Sequence, residues 1–254
     1  MKLVLLAGDG PSTNILRNYL EENVFAEIET IIEEPPSRKA MLAHRRRKLG
    51  IIPVIGQVAF MGLVLPFLRR GSKRRRLEIL SRHGLKETTS DRPAIRVKSI
   101  NTPMVADHLA SSNPDAVVVN GTRIIRDNIL SAADCPYINI HAGITPRYRG
   151  VHGGYWALWA GDENNFGATI HLVDKGVDTG GVLRHVRPKI GPSDNFSTYP
   201  LIQQAAALPE LLKVLRQVSD GDLRLIEDMS RDQSRQWYHP TILQYLSGRL
   251  RGVK

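Results

Sequence analysis

The chain of 254 residues contains a single cysteine, Cys135, and one thiol can form neither an internal disulfide nor a cysteine-rich metal site. Its N-terminal apolar run, residues 2–7, is too short for a secretory signal and is followed at once by glycines. We therefore expect a cytoplasmic protein and exclude a disulfide-stapled secreted scaffold. With 42% hydrophobic and 24% charged residues, the composition also excludes wholesale disorder.

Acidic residues are nearly absent from one segment. Residues 38–86 contain fourteen lysines and arginines and one acid, Glu78, whereas the rest of the chain has 21 basic and 24 acidic residues. The formal net charge of +10 therefore comes from this segment alone. A charge confined in this way argues against a general nucleic-acid-binding protein, and we expect no nucleic-acid partner. It raises a separate question about what residues 38–86 bind.

Apolar strand-like runs alternate with helical patterns, which predicts an α/β fold with a Rossmann-like, mostly parallel sheet and helices on both faces. The predicted strands are 2–7, 27–32, 95–100, 115–120, 137–141, 168–173 and 182–190. The predicted helices are 14–22, 102–111, 154–160 and 203–218, the first of them capped by Ser12 or Thr13. We divide the chain into a domain over 1–218, with a basic helical insert at 35–90, and a C-terminal extension over 219–254.

Within the insert, residues 51–68 are apolar apart from Gln57, and basic clusters lie on both sides. Three interpretations stay open: a transmembrane span, an in-plane element that binds an anionic membrane, and helices that pack on the domain or on a partner subunit. Pro53, Gly56, Gly62 and Pro66 should interrupt a helix, and the charge on both sides disfavours a span. We favour packing, with peripheral membrane contact through residues 38–86 as the alternative and a homo-oligomer as a further expectation.

Polar side chains follow the predicted strand 137–141. Asn139 and His141 are two residues apart at its end, so both side chains point to the same face. A later segment runs from a strand at His171 into a loop that contains Asp174 and Asp178. These residue types suit acyl transfer. The amide can donate to an oxyanion, the imidazole can move a proton, and the carboxylate can orient the imidazole. The alternative is structural: the amide and imidazole satisfy loop backbone, and the carboxylate caps a turn.

The stretch from Asn139 to Gly181 resembles the folate-dependent formyltransferases, which include glycinamide ribonucleotide, sugar and methionyl-tRNA formyltransferases. The resemblance lies in NIHAGITPRYRG and HLVDKGVDTG, which have the order and spacing of that family's signature. It implies a catalytic triad of Asn139, His141 and Asp178, with 10-formyltetrahydrofolate as the formyl donor and no metal. The usual Ser-Leu-Leu-Pro of that loop is replaced by residues 143–146, Gly-Ile-Thr-Pro, which implies a reshaped substrate side.

The same resemblance implies two binding regions. The residues that would hold the pterin ring or close over it are Arg123, Ile124, Ile125, Asp174 and Val177. The residues of the loop that would bind a substrate phosphate are Gly10, Ser12, Thr13 and Asn14. The second region opens a helix, and backbone N–H groups at a helix start favour anions.

The implied activity is transfer of a formyl group to the primary amine of a small phosphorylated substrate. The first loop resembles the phosphate loop of glycinamide ribonucleotide formyltransferase, whereas the loop ending at 147–150 leans toward the sugar and tRNA branches. We favour a nucleotide-linked amino sugar because the basic insert is not typical of a minimal purine enzyme. The alternatives are a glycinamide ribonucleotide formyltransferase, a hydrolase of the same donor, and a non-enzymatic module that binds a membrane or polyanion through residues 38–86. The chain ends soon after its last helical segment, so we expect no tRNA-holding domain and no tRNA substrate.

Overall fold

The computed structural model describes residues 1–24, 26–226 and 234–254. Its strands are β1 (Lys2–Gly8), β2 (Glu27–Glu33), β3 (Ile95–Val97), β4 (Ala116–Asn120), β5 (Tyr137–His141), β6 (Tyr148–Gly150), β7 (Ala168–Leu172), β8 (Val182–Val186) and β9 (Arg235–Trp237). Its α-helices are α1 (Pro11–Asn23), α2 (Arg38–Leu49), α3 (Ile51–Ala59), α4 (Leu65–Gly71), α5 (Lys73–Arg82), α6 (Pro103–Ser112), α7 (Asp127–Leu130), α8 (Gly153–Trp159), α9 (Tyr199–Ser219) and α10 (Ile242–Leu250). A π-helical turn, Phe60–Val64, joins α3 to α4.

Seven of the described strands form one sheet in the order β3-β2-β1-β4-β5-β7-β8. The strands from β3 to β5 are parallel, whereas β7 runs antiparallel to both β5 and β8. The predicted Rossmann-like, mostly parallel sheet is confirmed. Residues 173–181, which connect β7 to β8, are too few for the crossover that a parallel pair needs, so this pair is antiparallel.

Both faces of the sheet are covered. Along β1, Leu3 and Leu5 face one core with α1 and α9, while Val4 and Leu6 face a second core with α6. All four side chains are fully buried, which explains why this strand is a continuous apolar run rather than an alternating one. The strand ends that carry the polar residues therefore rest on a rigid support.

Several element boundaries differ from those predicted. Strand β3 ends at Val97 and not at residue 100, and helix α9 begins at Tyr199 and not at residue 203. Helix α1 begins at Pro11 and is not capped by the side chain of Ser12 or Thr13. Proline suits a first helical position because its missing N–H would have no intrahelical acceptor there. Strand β8 ends at Val186, short of the predicted residue 190, because Pro188 cannot donate to a strand ladder.

The apolar part of the insert is one helical run from Ile51 to Gly71, so the predicted interruption at its prolines and glycines was wrong. Pro53 lies in the first turn of α3, where its missing N–H costs no intrahelical bond. Ahead of Pro66 the chain winds into the π-turn, in which the Leu65 N–H donates to the Phe60 carbonyl. This local change of hydrogen-bond spacing accommodates the second proline within the run.

One side of this run packs on the domain. The Phe60 side chain is fully buried, and its ring centroid lies 4.9 Å from that of Phe196 and 5.0 Å from that of Tyr245 in α10. The Gln57 amide donates to the His239 carbonyl at 2.9 Å. The predicted packing role of the insert thus holds for this side of the helix, and α10 packs against it.

A histidine pair lies beside the insert. His152 Nε2 is 3.1 Å from His239 Nδ1. Burial, together with the neighbouring imidazole and Arg45, lowers the pKa of His152 to about 3. Burial and Arg45 lower the pKa of His239 to about 4. Both rings are therefore neutral in the folded protein at neutral pH.

This pair predicts an acid-sensitive stability. Folding lowers the pKa of both histidines below the value of ~6.5 that they have in the unfolded chain. The folded protein therefore has its full stability above pH ~6.5, and its stability falls at lower pH because the unfolded chain binds more protons. We expect the free energy of unfolding to fall by roughly 2 kcal/mol for each histidine between pH 7 and pH 5, and therefore by about 4 kcal/mol for the pair. The His152→Asn variant should flatten this slope, since asparagine tolerates the φ of 59° at that position. Urea unfolding at both pH values measures the effect, and equal slopes in variant and wild type would contradict it.

Candidate active site

The antiparallel pairing of β5 with β7 gathers three polar side chains. The register sets Asn139 opposite His171 and His141 opposite Thr169. Because alternate and directly opposed residues share one face of a sheet, Asn139, His141 and His171 lie together. The Asn139 side-chain nitrogen is 3.1 Å from His171 Nε2.

The hydrogen bonds of His171 fix its own tautomer and the orientation of the Asn139 amide. His171 Nδ1 lies 2.7 Å from the Leu172 carbonyl oxygen, which only accepts, so Nδ1 carries the proton. Nε2 is then an acceptor and receives one N–H of Asn139. The other N–H and the side-chain oxygen of Asn139 have no hydrogen-bond partner within the described residues. The predicted site omits His171 because only the antiparallel register reveals where it lies.

Asp178 completes the cluster from the loop after β7. Its backbone φ of 52° is left-handed, a conformation that aspartate tolerates better than most residues. Its carboxylate accepts from the Gly150 N–H at 2.8 Å and lies 3.4 Å from His141 Nδ1 and 3.7 Å from His171 Nε2. Burial by itself raises the pKa of Asp178, but the two histidines and the Gly150 N–H outweigh it and lower the pKa to about 2.

His141 has an acceptor at each ring nitrogen. Its Nε2 lies 2.7 Å from the Tyr148 carbonyl, and its Nδ1 faces Asp178. Burial lowers the pKa of His141, while Asp178 and the Tyr148 carbonyl oppose that shift without cancelling it. The imidazole is therefore neutral at neutral pH and donates from Nε2. A proton taken up at Nδ1 would lie between His141 and Asp178, so the site is arranged to receive one.

Two glycines allow the loop between β5 and α8 to approach so closely. A Cβ at Gly143 would lie 2.3 Å from the Tyr148 oxygen and 2.7 Å from His141 Nε2. A Cβ at Gly150 would lie 2.3 Å from the Trp237 oxygen, and its φ of 93° is also left-handed. Glycine at these positions therefore sets the contacts of His141 and Asp178.

The loop predicted to hold the pterin ring, residues 123–125, is fixed by the buried carboxylate of Glu33. Glu33 accepts from the main-chain N–H of Arg123 at 2.9 Å and from its guanidinium at 2.6 Å. The Arg123 guanidinium also donates to the Lys98 and Glu34 carbonyls, so its side chain is held at the end of β2. Ile124 is exposed and Ile125 is buried. Sequence reasoning missed Glu33, whose role depends on the pairing of distant strands.

The second predicted folate loop is closed by its own contacts. Asp174 accepts from the Gly176 N–H at 3.0 Å and from the Thr179 hydroxyl at 2.6 Å. The Val177 carbonyl accepts from the Arg149 guanidinium at 3.0 Å, which ties this loop to the one carrying Gly150. Asp174 thus shapes its loop through local hydrogen bonds.

The loop predicted to bind a substrate phosphate joins β1 to α1, and Asn120 at the end of β4 holds it in place. The Asn120 amide donates to the Thr13 hydroxyl at 3.0 Å, and that hydroxyl donates to the Gly8 carbonyl. Asn14 donates to the Glu87 carbonyl at 3.1 Å. Of the predicted phosphate residues, the side chains of Thr13 and Asn14 therefore hold the loop itself. Ser12 is exposed.

A cavity of about 930 Å³ opens between the first loop, α9 and the insert. Ser12 lines it, whereas Gly10, Thr13 and Asn14 do not. Its wall includes Ile140 and Ala142, the residues on either side of His141.

The insert forms the cationic side of this cavity through Arg69, Lys73 and Arg76. Arg76 is paired with Glu87 at 2.9 Å. Arg69 and Lys73 make no ion pair within the part of the chain that the structure describes. Two basic side chains without protein counter-ions among the described residues therefore line the cavity. The side chains of Asn139, His141, His171 and Asp178 do not line it, and Ile140 points to the opposite face of β5 from Asn139 and His141.

A comparison with known protein families decides which family this arrangement belongs to. The family described as Formyl transferase matches residues 71–208, more than half of the chain. The chain belongs to the formyl transferase family. The matched region contains Asn139, His141, His171 and Asp178, and it begins inside the segment that the sequence analysis treats as an insert.

Among curated proteins, this formyl transferase is similar to methionyl-tRNA formyltransferases. It is 33% identical over 132 residues to the protein of Sorangium cellulosum, covering 52% of this chain and 42% of the relative. It is 25% identical over 224 residues to the protein of Corynebacterium aurimucosum, covering 88% of this chain and 58% of the relative. The chain thus spans roughly half the length of these relatives.

Solved structures share the fold of this formyl transferase. A sugar N-formyltransferase from a Shewanella species matches with a TM-score of 0.56 at 15% identity, covering 93% of this chain and 76% of the other. Glycinamide ribonucleotide transformylase 1 from Symbiobacterium toebii matches with a TM-score of 0.57 at 17% identity, covering 89% and 91%. At these identities the likeness establishes the architecture alone.

Proposed function

We propose that this chain transfers a formyl group from 10-formyltetrahydrofolate to a primary amine. One observation carries the proposal: Asn139, His141, His171 and Asp178 are hydrogen-bonded or in close contact at one strand end. Ile140 and Ala142 of the same strand end line a cavity of about 930 Å³. Acyl transfer needs an oxyanion donor, a base and a group that orients the base, and this cluster supplies all three.

The loops beside the cluster suit a reduced pterin. The main-chain N–H groups of Ile124 and Ile125 and the Ile125 carbonyl have no protein partner within the described residues. The exposed Ile124 side chain lies next to them. An apolar side chain beside unpaired main-chain donors and an acceptor fits a flat heteroaromatic ring with a polar edge. When bound, the donor supplies the formyl carbon.

Each residue of the cluster has a distinct part. The free N–H of Asn139 is the donor for negative charge that develops on the formyl oxygen, and His171 holds that amide in orientation. Neutral His141 takes up the proton that the attacking amine releases. Ionised Asp178, held by the Gly150 N–H, stabilises the resulting imidazolium.

The cavity favours a phosphorylated amine. Arg69 and Lys73 lie on its wall and have no acidic partner among the described residues. Ser12 lies in the first turn of helix α1, where main-chain N–H groups suit an anion. A volume of about 930 Å³ lies at the upper end of the range for small-ligand sites, which fits an amino sugar linked to a nucleotide better than a small amine. We therefore keep a nucleotide-linked amino sugar as the favoured acceptor and glycinamide ribonucleotide as the smaller alternative.

A second acceptor is favoured by the relatives. Curated relatives of this chain carry the name methionyl-tRNA formyltransferase, so the methionyl amine of charged tRNA is the competing acceptor. Water is a third, because the same cluster activates it as it does an amine.

The acceptor is found by supplying 10-formyltetrahydrofolate with a panel and measuring formylated product by mass spectrometry. The panel contains nucleotide-linked amino sugars, glycinamide ribonucleotide and methionyl-tRNA. The Lys73→Glu and Arg69→Glu variants should raise the KM for a phosphorylated acceptor by ~10-fold or more while leaving the KM for the folate donor unchanged. Product from unphosphorylated amines alone, or an unchanged acceptor KM, would remove the phosphate from the proposal.

The glycine that holds Asp178 gives a further prediction. Gly150→Ala should lower turnover by ~10-fold or more, because its Cβ meets the Trp237 carbonyl and the N–H that orients Asp178 must move. Gly161→Ala is the matched control: its φ of 74° is also left-handed, but a Cβ there meets nothing within 4 Å. Steady-state kinetics compare the two, and equal turnover would show that the Gly150 contact is dispensable.

A further inference from the structure

The helical run Ile51–Gly71 exposes a strip of apolar side chains. This apolar strip consists of Ile51, Ile52, Ile55, Val58, Leu63 and Phe67. Ile52 is 81% exposed and Phe67 is 76% exposed. In the part of the chain that the structure describes, this is the one helix long and apolar enough to cross a membrane. Only 17% of its most apolar window is buried, so it is not a core helix.

The opposite side of the same run is fixed on the domain. Val54, Gln57 and Phe60 are buried, and the Gln57 amide donates to a domain carbonyl. A helix that crosses a bilayer exposes its whole circumference to lipid or to other spanning segments. A helix with one side in a folded core and the other side apolar and exposed is suited to lie in the plane of a surface.

Basic residues flank the strip at both ends. Arg46, Arg47 and Lys48 precede it at the end of α2, and Arg70 follows it at the end of α4. All four are exposed, and none has an acidic partner within the described residues. The strip therefore lies between two clusters of unbalanced positive charge.

We propose that the apolar strip and its basic flanks dock this protein, in plane, on an anionic bilayer surface. The strip enters the boundary between headgroups and acyl chains, and the flanking side chains contact lipid phosphates. Such a surface offers an apolar layer and negative charge together. A second copy of this chain would bring the same positive charge against these flanks, which disfavours a symmetric dimer through the strip.

Docking has a consequence for the cavity. Arg69 belongs to the same helical run as the strip, and Lys73 begins the helix that follows. Both line the cavity that Ile140 and Ala142 also line. Docking would therefore bring this wall of the cavity to the level of the lipid headgroups. The docking itself does not depend on formyl transfer, so it stands or falls separately from the proposed function.

The test is co-sedimentation with vesicles of phosphatidylcholine, with and without phosphatidylglycerol, at 50 mM and 500 mM salt. We expect binding to the anionic vesicles at low salt and at least ~10-fold weaker binding at high salt, because exposed charges are screened. Each basic residue near the surface strengthens binding by ~5-fold. The combined variant Arg46→Gln, Arg47→Gln and Arg70→Gln should therefore bind ~100-fold more weakly.

A second variant separates apolar insertion from adsorption by charge. Ile52→Asp with Phe67→Asp should also weaken binding by ~100-fold or more, because it places two carboxylates where the strip meets acyl chains. Met104→Asp is the matched control: Met104 is exposed and apolar but lies on α6, which covers the opposite face of the sheet. Thermal unfolding should be unchanged in all three, since every altered side chain is exposed.

Several results would overturn the proposal. Absence of binding to anionic vesicles at low salt would do so, as would a loss in the Ile52→Asp, Phe67→Asp variant no larger than in Met104→Asp. Sedimentation equilibrium tests whether a second copy of the chain covers the strip instead. If the wild type is a dimer and the Ile52→Asp, Phe67→Asp variant is a monomer, the strip is a dimer interface. Quenching of a Phe67→Trp variant by brominated lipids, beyond that of the wild type, is the expected sign of insertion.

Discussion

His141→Ala and Asp178→Asn should each lower turnover by ~100-fold or more, and the double variant should be little worse than either one. The two side chains act through one proton position, between His141 Nδ1 and the Asp178 carboxylate, which are 3.4 Å apart. Removing either group abolishes the rate enhancement that depends on this proton position, so removing the second group lowers turnover little further. Asparagine tolerates the left-handed backbone at residue 178, so the fold should persist.

His185→Ala is the matched control for this prediction. Its imidazole, like that of His141, hydrogen-bonds a carbonyl of the loop after β5, here Thr145 at 3.0 Å, but it is not part of the cluster around Asp178. Turnover in this variant should stay within a few-fold of wild type. Rapid-quench kinetics under saturating donor measure turnover in these four variants and in the wild type. Near-normal turnover in either single variant of the pair, or fully additive losses in the double variant, would contradict the assigned roles.

The second large effect is on stability. Phe60→Ala should lower the free energy of unfolding by about 3–5 kcal/mol, because the ring is fully buried between Phe196 and Tyr245 and its loss leaves a cavity. Typical domains have only about 5–15 kcal/mol in total, so the variant should unfold at markedly lower denaturant concentration. The insert would lose its main anchor on the domain.

Phe67→Ala is the control on the same helical run. Its ring is exposed, so the free energy of unfolding should change by less than ~0.5 kcal/mol. Urea unfolding at constant m-value compares the two variants. Equal and small losses at both positions would mean that the insert is not part of the domain core.

Much of the fold follows from local patterns. The apolar runs at β1 and β4 are buried on both faces, and such strands are recognisable without tertiary information. The short connection after β7 explains why β8 runs antiparallel to it, but no local pattern gives the antiparallel pairing of β7 with β5. The continuity of Ile51–Gly71 through Pro66 depends on a π-turn, which leaves no mark in the sequence.

The residues of the candidate site also differ in how far the sequence alone predicts them. Asn139, His141 and Asp178 carry the family's motif and could be predicted by their order and spacing. His171 opens the second motif, but its contact with Asn139 depends on cross-strand register, and Glu33 and Asn120 contact the site loops through pairings between distant strands. Their roles come from tertiary contacts that no local pattern contains. The burial that sets the pKa of His141 is likewise a property of the assembled loop.

The central claim is that the cluster around His141 moves a formyl group to an amine. The most direct test uses 10-formyltetrahydrofolate with an isotopically labelled formyl carbon and the acceptor found in the panel. The amine product and the tetrahydrofolate are quantified together. We expect one labelled formyl group in the product for each tetrahydrofolate released, with both lost in His141→Ala. Release of tetrahydrofolate with the label in formate, at a rate that the amine does not change, would show a hydrolase instead.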